Sequence, residues 1–324
     1  MRVLVTGANS LLASNTINIL LEKDHKVIGF LRNPRSFPLP AHKNLVLQTG
    51  DITDPESYLD LLKDIDSVIH IAALTSQNII DYEIYKKVNT EATVILYKHA
   101  IDNDVSSFIY VSTANCFGYG SSPDLGNELK TSRYPFTKSL YAKSKLEAQQ
   151  ILLQYKTDSQ KTKLVILNPT FMIGAYDTKP SSGRLILSGY NKKVIFYPSG
   201  GKSFINVKDA ANGVVNAITS GRHKEAYILS GTNLSYKAFY KKVVLQLEQN
   251  STLIKIPNFL LISVGYLGDL LRFFNIKTDI SSVNVKALCV DNYYTNEKAK
   301  KELKLPQNNI DEGISDAIRW FNLI

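Results

Sequence analysis

Tyr141 and Lys145 stand four residues apart in Tyr141-Ala-Lys-Ser-Lys145, a spacing that puts a phenol and an ammonium on one face of a helix. A cation beside a phenol stabilises the phenolate. The pair therefore predicts a tyrosine whose pKa, ordinarily about 10, is drawn towards neutrality. Such a group exchanges a proton with a carbonyl or alcohol oxygen while a hydride moves to or from a nicotinamide. Thr113 ends an apolar run 28 residues upstream. Its hydroxyl reaches the same oxygen if both elements finish at one edge of a sheet. The spacing alone is weak, because a chain with 18 tyrosines yields roughly two such pairs by chance. Tyr82/Lys86 and Tyr134/Lys138 share it. Tyr134 precedes a proline, which disfavours helix there, and Tyr82 lies ahead of the strand that carries Thr113. Only Tyr141 combines a helical context with an upstream hydroxyl at a strand end.

The element that would position a cofactor for these groups is the N-terminus. Val3-Leu4-Val5 is an apolar run without alternation, the pattern of a strand covered on both faces. Thr6-Gly7-Ala8-Asn9 breaks it, and helical spacing resumes from Leu11 to Leu21. A strand, a glycine turn and a helix start aim free N–H groups and a helix dipole at one spot, which suits a pyrophosphate. Gly7, Asn9, Ser10, Leu11 and Leu12 are the candidate ligands. An ordinary strand–turn–helix reads the same way. The pattern is Gly7-x-x-Ser10-x-x-Ala13, and Ser10 stands where a dinucleotide fold prefers glycine. Its hydroxyl can donate to phosphate or cap the helix.

Lys26 to Arg32 reads as the second strand. A NAD site places an acid near its end to hold the ribose 2′-hydroxyl, yet no acid occurs from Lys26 to Gly50. Arg32 and Arg35 stand there instead, and a guanidinium suits a 2′-phosphate. The expected cofactor is NADP, with NAD as the alternative. After a third strand at 44–48, Asp51 is placed to accept from an adenine amino group with Ile52 on the ring. Thr53 or Asp54 would cap the helix opened by Pro55. A fourth strand, 67–73, ends in Ala72 and Ala73, small enough for a cofactor to lie against backbone. His70 within it reads as a satisfied core histidine. A helix over 81–102 carries Asn89, and a fifth strand covers 107–113. A helix from about Pro135 to Tyr155 leads to a sixth strand at 163–167, followed by Pro169.

This alternation predicts an α/β chain built on a doubly wound parallel sheet. The cofactor domain is expected over 1–168. A smaller, mostly helical substrate lobe is expected over 169–324, interleaved with late elements of the first. The stretch 257–274 is the most apolar of the chain, but it is short and interrupted by Asp269 and Arg272. It predicts a buried helix rather than a membrane span, with a substrate-cavity wall or a membrane-touching helix as alternatives.

Hydrophobic content of 44% and charged content of 21% are those of a globular protein. Cys116 and Cys289, the two cysteines, give no disulfide framework. Cys116 lacks a partnered base and reads as a small buried residue. No metal site is expected. Because the first strand starts at the N-terminus, no leader segment is expected and a cytoplasmic location is the default. The net charge of +9 is spread along the chain rather than striped. This argues against nucleic acid and leaves an anionic small molecule as the partner.

In order and spacing, several segments resemble the extended short-chain dehydrogenase/reductase superfamily of NAD(P)-dependent epimerases, dehydratases and ketoreductases. They are Val5-Thr-Gly-Ala-Asn9, Gly50-Asp51-Ile52, Val68-Ile-His-Ile-Ala-Ala73, Val88-Asn89, Phe108-Ile-Tyr-Val-Ser-Thr-Ala114, Phe117-Gly118, Tyr141-Ala-Lys-Ser-Lys145, Asn168-Pro169 and Phe204-Ile-Asn-Val-Lys-Asp209. The resemblance implies a Rossmann-type seven-stranded parallel sheet and a small C-terminal substrate lobe. It implies a proton relay at Tyr141, Lys145 and Thr113. Leu167-Asn-Pro-Thr-Phe-Met-Ile-Gly174 and Arg32 are most similar to the dihydroflavonol reductase and aldehyde reductase branch, which implies NADPH-dependent carbonyl reduction. Nucleotide-sugar epimerases share the relay. They typically place an arginine just before the segment matching 204–209, where this chain has Lys202 and Ser203. Phe117 stands where tyrosine is common. The resemblance also makes a homodimer an expectation. The expected activity is reduction of a small carbonyl. The alternatives are nucleotide-sugar epimerisation or dehydration, and a non-catalytic dinucleotide sensor suggested by Ser10.

Overall fold

The computed structural model describes residues 1–156, 161–274 and 276–323. In chain order its first strands are β1 (Arg2–Thr6), β2 (Lys26–Leu31), β3 (Leu45–Thr49), β4 (Ser67–His70), β5 (Ser107–Val111), β6 (Lys163–Pro169) and β7 (Phe171–Ile173). Then come β8 (Val194–Tyr197), β9 (Gly201–Asn206), β10 (Glu225–Leu229), β11 (Thr232–Ser235), β12 (Thr252–Lys255) and β13 (Asp291–Asn292). The first helices are α1 (Leu11–Glu22), α2 (Tyr82–Tyr85), α3 (Ala92–Asp102), α4 (Leu140–Gln154), α5 (Arg184–Gly189) and α6 (Val207–Ser220). The later ones are α7 (Tyr236–Gln246), α8 (Asn258–Phe273), α9 (Ser282–Leu288), α10 (Glu297–Leu303) and α11 (Ile310–Trp320).

Seven strands form one parallel sheet in the order β10-β6-β5-β4-β1-β2-β3. Its inner strands β4 and β5 are buried at every position, and their middles are apolar without alternation because both faces are covered. Val3 and Val5 of β1 face α1 and α6, meeting Ile17, Leu20, Ala210 and Val214. Leu4 faces the other way, into a layer with Leu96 and Ala100 of α3 and Ala148 and Leu152 of α4. This is the doubly wound Rossmann-type arrangement. Strand order reverses at β1, flanked by β4 and β2, and there the loops beyond the strand ends diverge to leave a crevice.

Several expected elements differ in extent. Strand β4 stops at His70 rather than residue 73. The Thr6 hydroxyl takes the N–H groups of Ile71 and Ala72, both at 3.1 Å, and draws the chain out of the ladder. The helix expected over 81–102 contains a wide π-helical turn, Lys86–Glu91, between α2 and α3. The helix expected from Pro135 starts only at Leu140, because Ser139 caps it by accepting from the Ala142 N–H. Helices outnumber strand residues in the C-terminal portion, yet two small sheets appear there. One joins β11, β9 and β13 with β7, and the other pairs β12 with β8. Their strands are too short to register as a period in the sequence. A separate core, with Ile186, Phe204, Phe239, Ile314 and Ile318, holds this portion together.

The stretch 257–274 departs furthest from expectation. Helix α8 is not buried: only Gly265 and Gly268 are, and Phe259, Leu267 and Phe273 are 68, 56 and 80% exposed. Its less exposed residues are Gly265, Gly268, Asp269 and Arg272 together with half-buried Leu261, Ile262 and Leu271. No described helix is long and apolar enough to cross a membrane.

Candidate active site

Gly7 turns the chain out of β1 with φ +69°. A Cβ there would lie 2.8 Å from the Ala72 Cα, so the turn is fixed both by handedness and by contact with the chain leaving β4. Ser10 is the N-cap of α1, its hydroxyl accepting from the Ala13 N–H at 3.4 Å. Capping, one of the two roles its sequence position allowed, is therefore filled. Asn9 donates to the Ser36 hydroxyl at 2.6 Å and its carbonyl accepts from Thr178. That ties the turn to the loop after β2 and to the C-terminal portion. Leu11 and Leu12 are buried beneath the turn.

Arg32 and Arg35 are exposed on the loop after β2. Arg32 lies near enough to Asp51 to help lower its pKa, although the larger cause is the Thr53 N–H bonded to that carboxylate. Asp51 also accepts from the Thr53 hydroxyl at 2.8 Å. Those bonds close a turn over residues 51–53 ahead of the 3-10 turn Pro55–Ser57, whose N-cap residue Asp54 makes no side-chain cap. Ile52 is buried beside it, and Ala72 and Ala73 are partly exposed past β4. Asn89 is fully buried. Its oxygen takes the Leu74 N–H at 2.7 Å, and its nitrogen donates to the Leu74 carbonyl and the Ser144 hydroxyl, each at 3.0 Å. It clamps the loop after β4 to α4.

Thr113, two residues beyond β5, accepts from the Asn115 N–H and starts a 3-10 turn, Ala114–Cys116. Its carbonyl is held by Asn168, which also donates to Gln149 at 3.0 Å, while Pro169 is buried at the end of β6. Tyr141 and Lys145 occupy successive turns at the start of α4. Lys145 is 1% exposed, its Nζ lies 4.3 Å from the Tyr110 ring centre, and it has no hydrogen-bond partner among the described residues. Burial pulls its pKa down to about 7.

The expected lowering of the Tyr141 pKa is not what the structure gives. Burial, with Cys116 and Tyr85 adding to it, pushes that phenol well above its ordinary value. Desolvation outweighs the lysine one turn away, and the phenol keeps its proton at neutral pH. His70 is the satisfied core residue anticipated, bonded to Thr6 and Thr93, with burial lowering its pKa to about 3. Cys116 is buried against Ser112, and burial raises its thiol to about 11. Neither offers reactive chemistry at pH 7.

Gly7, Ala72, Thr113 and Pro169 thus meet at the C-terminal edge of adjacent strands, with α4 covering one side. Sequence residues 3–230 match the model of the NAD dependent epimerase/dehydratase family. The chain belongs to this family. Family membership implies a nicotinamide dinucleotide as cofactor. Among curated relatives, a putative dihydroflavonol 4-reductase from Synechocystis sp. is 26% identical over 98% of this chain and 93% of its own length. Sterol demethylase protein B of Methylococcus capsulatus is 24% identical over 99 and 98%. Among solved structures, gox2253 superposes with a TM-score of 0.82 at 27% identity, covering 99% of this chain and 97% of the other. Proteins of the epimerase/dehydratase family act on small molecules, and this chain's crevice suits such a group. Ser10 caps α1 beside Gly7, and the Lys145 amine on α4, without a hydrogen-bond partner among the described residues, is an unmet donor.

Some contributing residues escaped the sequence reading. Ser144 and Gln149 brace Asn89 and Asn168 respectively, and Tyr85 adds to the raised pKa of Tyr141. Their only signal was a position on the buried faces of their helices. Tyr294/Lys298 also has the four-residue spacing, but that lysine is held 2.6 Å from Glu225, away from any strand-end hydroxyl. Lys202 on β9 is half-buried over the Phe171 ring, and burial lowers its pKa to about 8.

Proposed function

We propose that the protein is an NADP(H)-dependent oxidoreductase that reduces an aldehyde or ketone, with Tyr141 as the proton donor. The observation that carries the reading is the buried Lys145 amine, without a hydrogen-bond partner among the described residues, one helical turn from a phenol that holds its proton. The cofactor, when bound, supplies hydride. Tyr141 gives its proton to the substrate oxygen, and Thr113 donates a hydrogen bond to the same oxygen. Lys145, once protonated in company with ligand hydroxyls, stabilises the phenolate left behind. Gly7 and the start of α1 receive the pyrophosphate, Asp51 and Ile52 the adenine, and Arg32 with Arg35 the 2′-phosphate. The reductase named in Synechocystis supports this choice within the family.

Tyr141→Phe is expected to lower NADPH-dependent carbonyl reduction by about 10²–10⁴-fold while leaving NADPH affinity unchanged. Normal turnover in that variant would remove the assignment. A second reading, epimerisation or dehydration of a nucleotide sugar, draws on Lys202, a sheltered cation placed for a diphosphate. It predicts turnover of UDP- or dTDP-sugars without net consumption of NADPH.

A further inference from the structure

Helix α8 turns most of its large apolar side chains outward, with Leu261, Ile262 and Leu271 half-buried. Its inward face carries Gly265, Gly268, Asp269 and Arg272, each with a partner that fixes it. The glycines lie against the backbone of Ile280–Ser282, where a Cβ at Gly268 would stand 2.5 Å from the Ile280 carbonyl oxygen. Asp269 accepts from the Ser282 N–H at 3.1 Å, and Arg272 donates to the carbonyls of Gln77 and Thr278, both at 2.8 Å. Outward, over about 24 Å of helix, point Phe259, Leu260, Val264, Tyr266, Leu267, Leu270 and Phe273, interrupted by Ser263. The face extends past the helix at both ends. Phe274 and Ile276 follow it, and the exposed cross-strand pair Ile254/Phe196 precedes it.

Exposing most of its large apolar side chains while half-burying Asp269 and Arg272 departs from the ordinary rule for a surface helix, and a continuous exposed patch of this kind marks a docking surface. The charges around it select the occupant. Between residues 252 and 286 the acids are Asp269, held internally, and Asp279, paired with Arg184 at 3.2 Å. Lys255 and Lys277 stand exposed just before and just after the helix. A second copy docked on this face would bring these lysines together in either direction of pairing. An anionic lipid surface complements them and accepts the apolar side chains beneath its headgroups.

We infer that α8 is a monotopic anchor, lying in the interface of an anionic phospholipid bilayer. The same helix touches the wall of the crevice. Arg272 donates to the Gln77 carbonyl, and the neighbouring Ser76 carbonyl, on the same loop after β4, accepts from Tyr85. The anchor therefore sets the crevice beside the lipid–water boundary.

Co-sedimentation with vesicles tests this without substrate or cofactor, so its outcome is independent of the reductase reading. The full chain is expected to pellet with vesicles of phosphatidylcholine and phosphatidylserine, less with phosphatidylcholine alone, and less as salt rises. A Phe259→Ser, Leu267→Ser, Phe273→Ser triple variant should lose binding about tenfold or more. Lys255→Ala with Lys277→Ala should abolish the preference for phosphatidylserine. Leu245→Ser, an exposed leucine of α7 outside this face, should bind as wild type, and all variants should keep the wild-type melting temperature. Wild-type protein that stays in the supernatant, or a triple variant that pellets equally, overturns the inference. So does a dimer in sedimentation equilibrium that the triple variant dissociates.

Discussion

Gly7 has room for no side chain, since its φ is positive and the Ala72 backbone stands where a Cβ would go. Gly7→Ala is expected to cost about 1–3 kcal/mol, read from the urea midpoint, and to weaken dinucleotide binding by displacing the N-terminus of α1. Lys145 makes a pH prediction. Its folded pKa of about 7 lies below the ordinary 10.5. From about pH 7 to 10 the unfolded chain holds the proton that the folded chain releases, so stability rises with pH. Lys202, lowered to about 8, acts in the same direction. The urea midpoint of the cofactor-free protein should climb from pH 7 to about pH 9, and Lys145→Met should remove the larger part of that climb. A midpoint that falls over this interval, or a slope untouched by the substitution, would count against the burial of that amine. At this scale the sequence spoke clearly of residue identity and poorly of ionisation. Tyr141, Lys145 and Thr113 were found by spacing. The direction of the Tyr141 shift is set by burial, with Cys116 and Tyr85 from other elements adding to it, and that burial has no mark in the local pattern.

Among the elements, strand β1, its glycine turn and α1 were legible because three local signals agree: an unbroken apolar run, a glycine and helical spacing. Helix α8 was legible as a helix and misread as buried. An apolar stretch is ordinarily covered, and nothing local announces that its glycines, Asp269 and Arg272 will take the inner face. That packing gives a direct check. Gly268→Ala would press a methyl on the Ile280 carbonyl and force α8 from the chain leading into α9. It is expected to cost about 1–3 kcal/mol, measured as a lowered melting temperature. A Gly268→Ala protein as stable as wild type would mean that α8 is not seated on residues 280–282. Asn89 gives the opposite lesson. Its place in Val88-Asn89 suggested a cofactor ligand, but its amide is spent on Leu74 and Ser144.

For the whole molecule, the strand–helix alternation fixed the class of fold, and two covered faces explain why the inner strands show no polar alternation. The last sheet strand, β10, comes after the first elements of the C-terminal portion and pairs in parallel with β6. That return carries the sheet past residue 168. The small sheets around β9 and β8 could not be read, because strands of two to six residues carry too little period. On the two readings proposed, the net charge of +9 has local uses at Arg32/Arg35 and around α8.

The central claim is that this crevice holds NADPH through the 2′-phosphate for hydride transfer. Titrating the purified protein with NADPH and with NADH, following nicotinamide fluorescence, tests it most directly. The account predicts NADPH binding about tenfold or more ahead of NADH, with the preference lost in Arg32→Ala. Equal or stronger binding of NADH, or no binding of either, would contradict it.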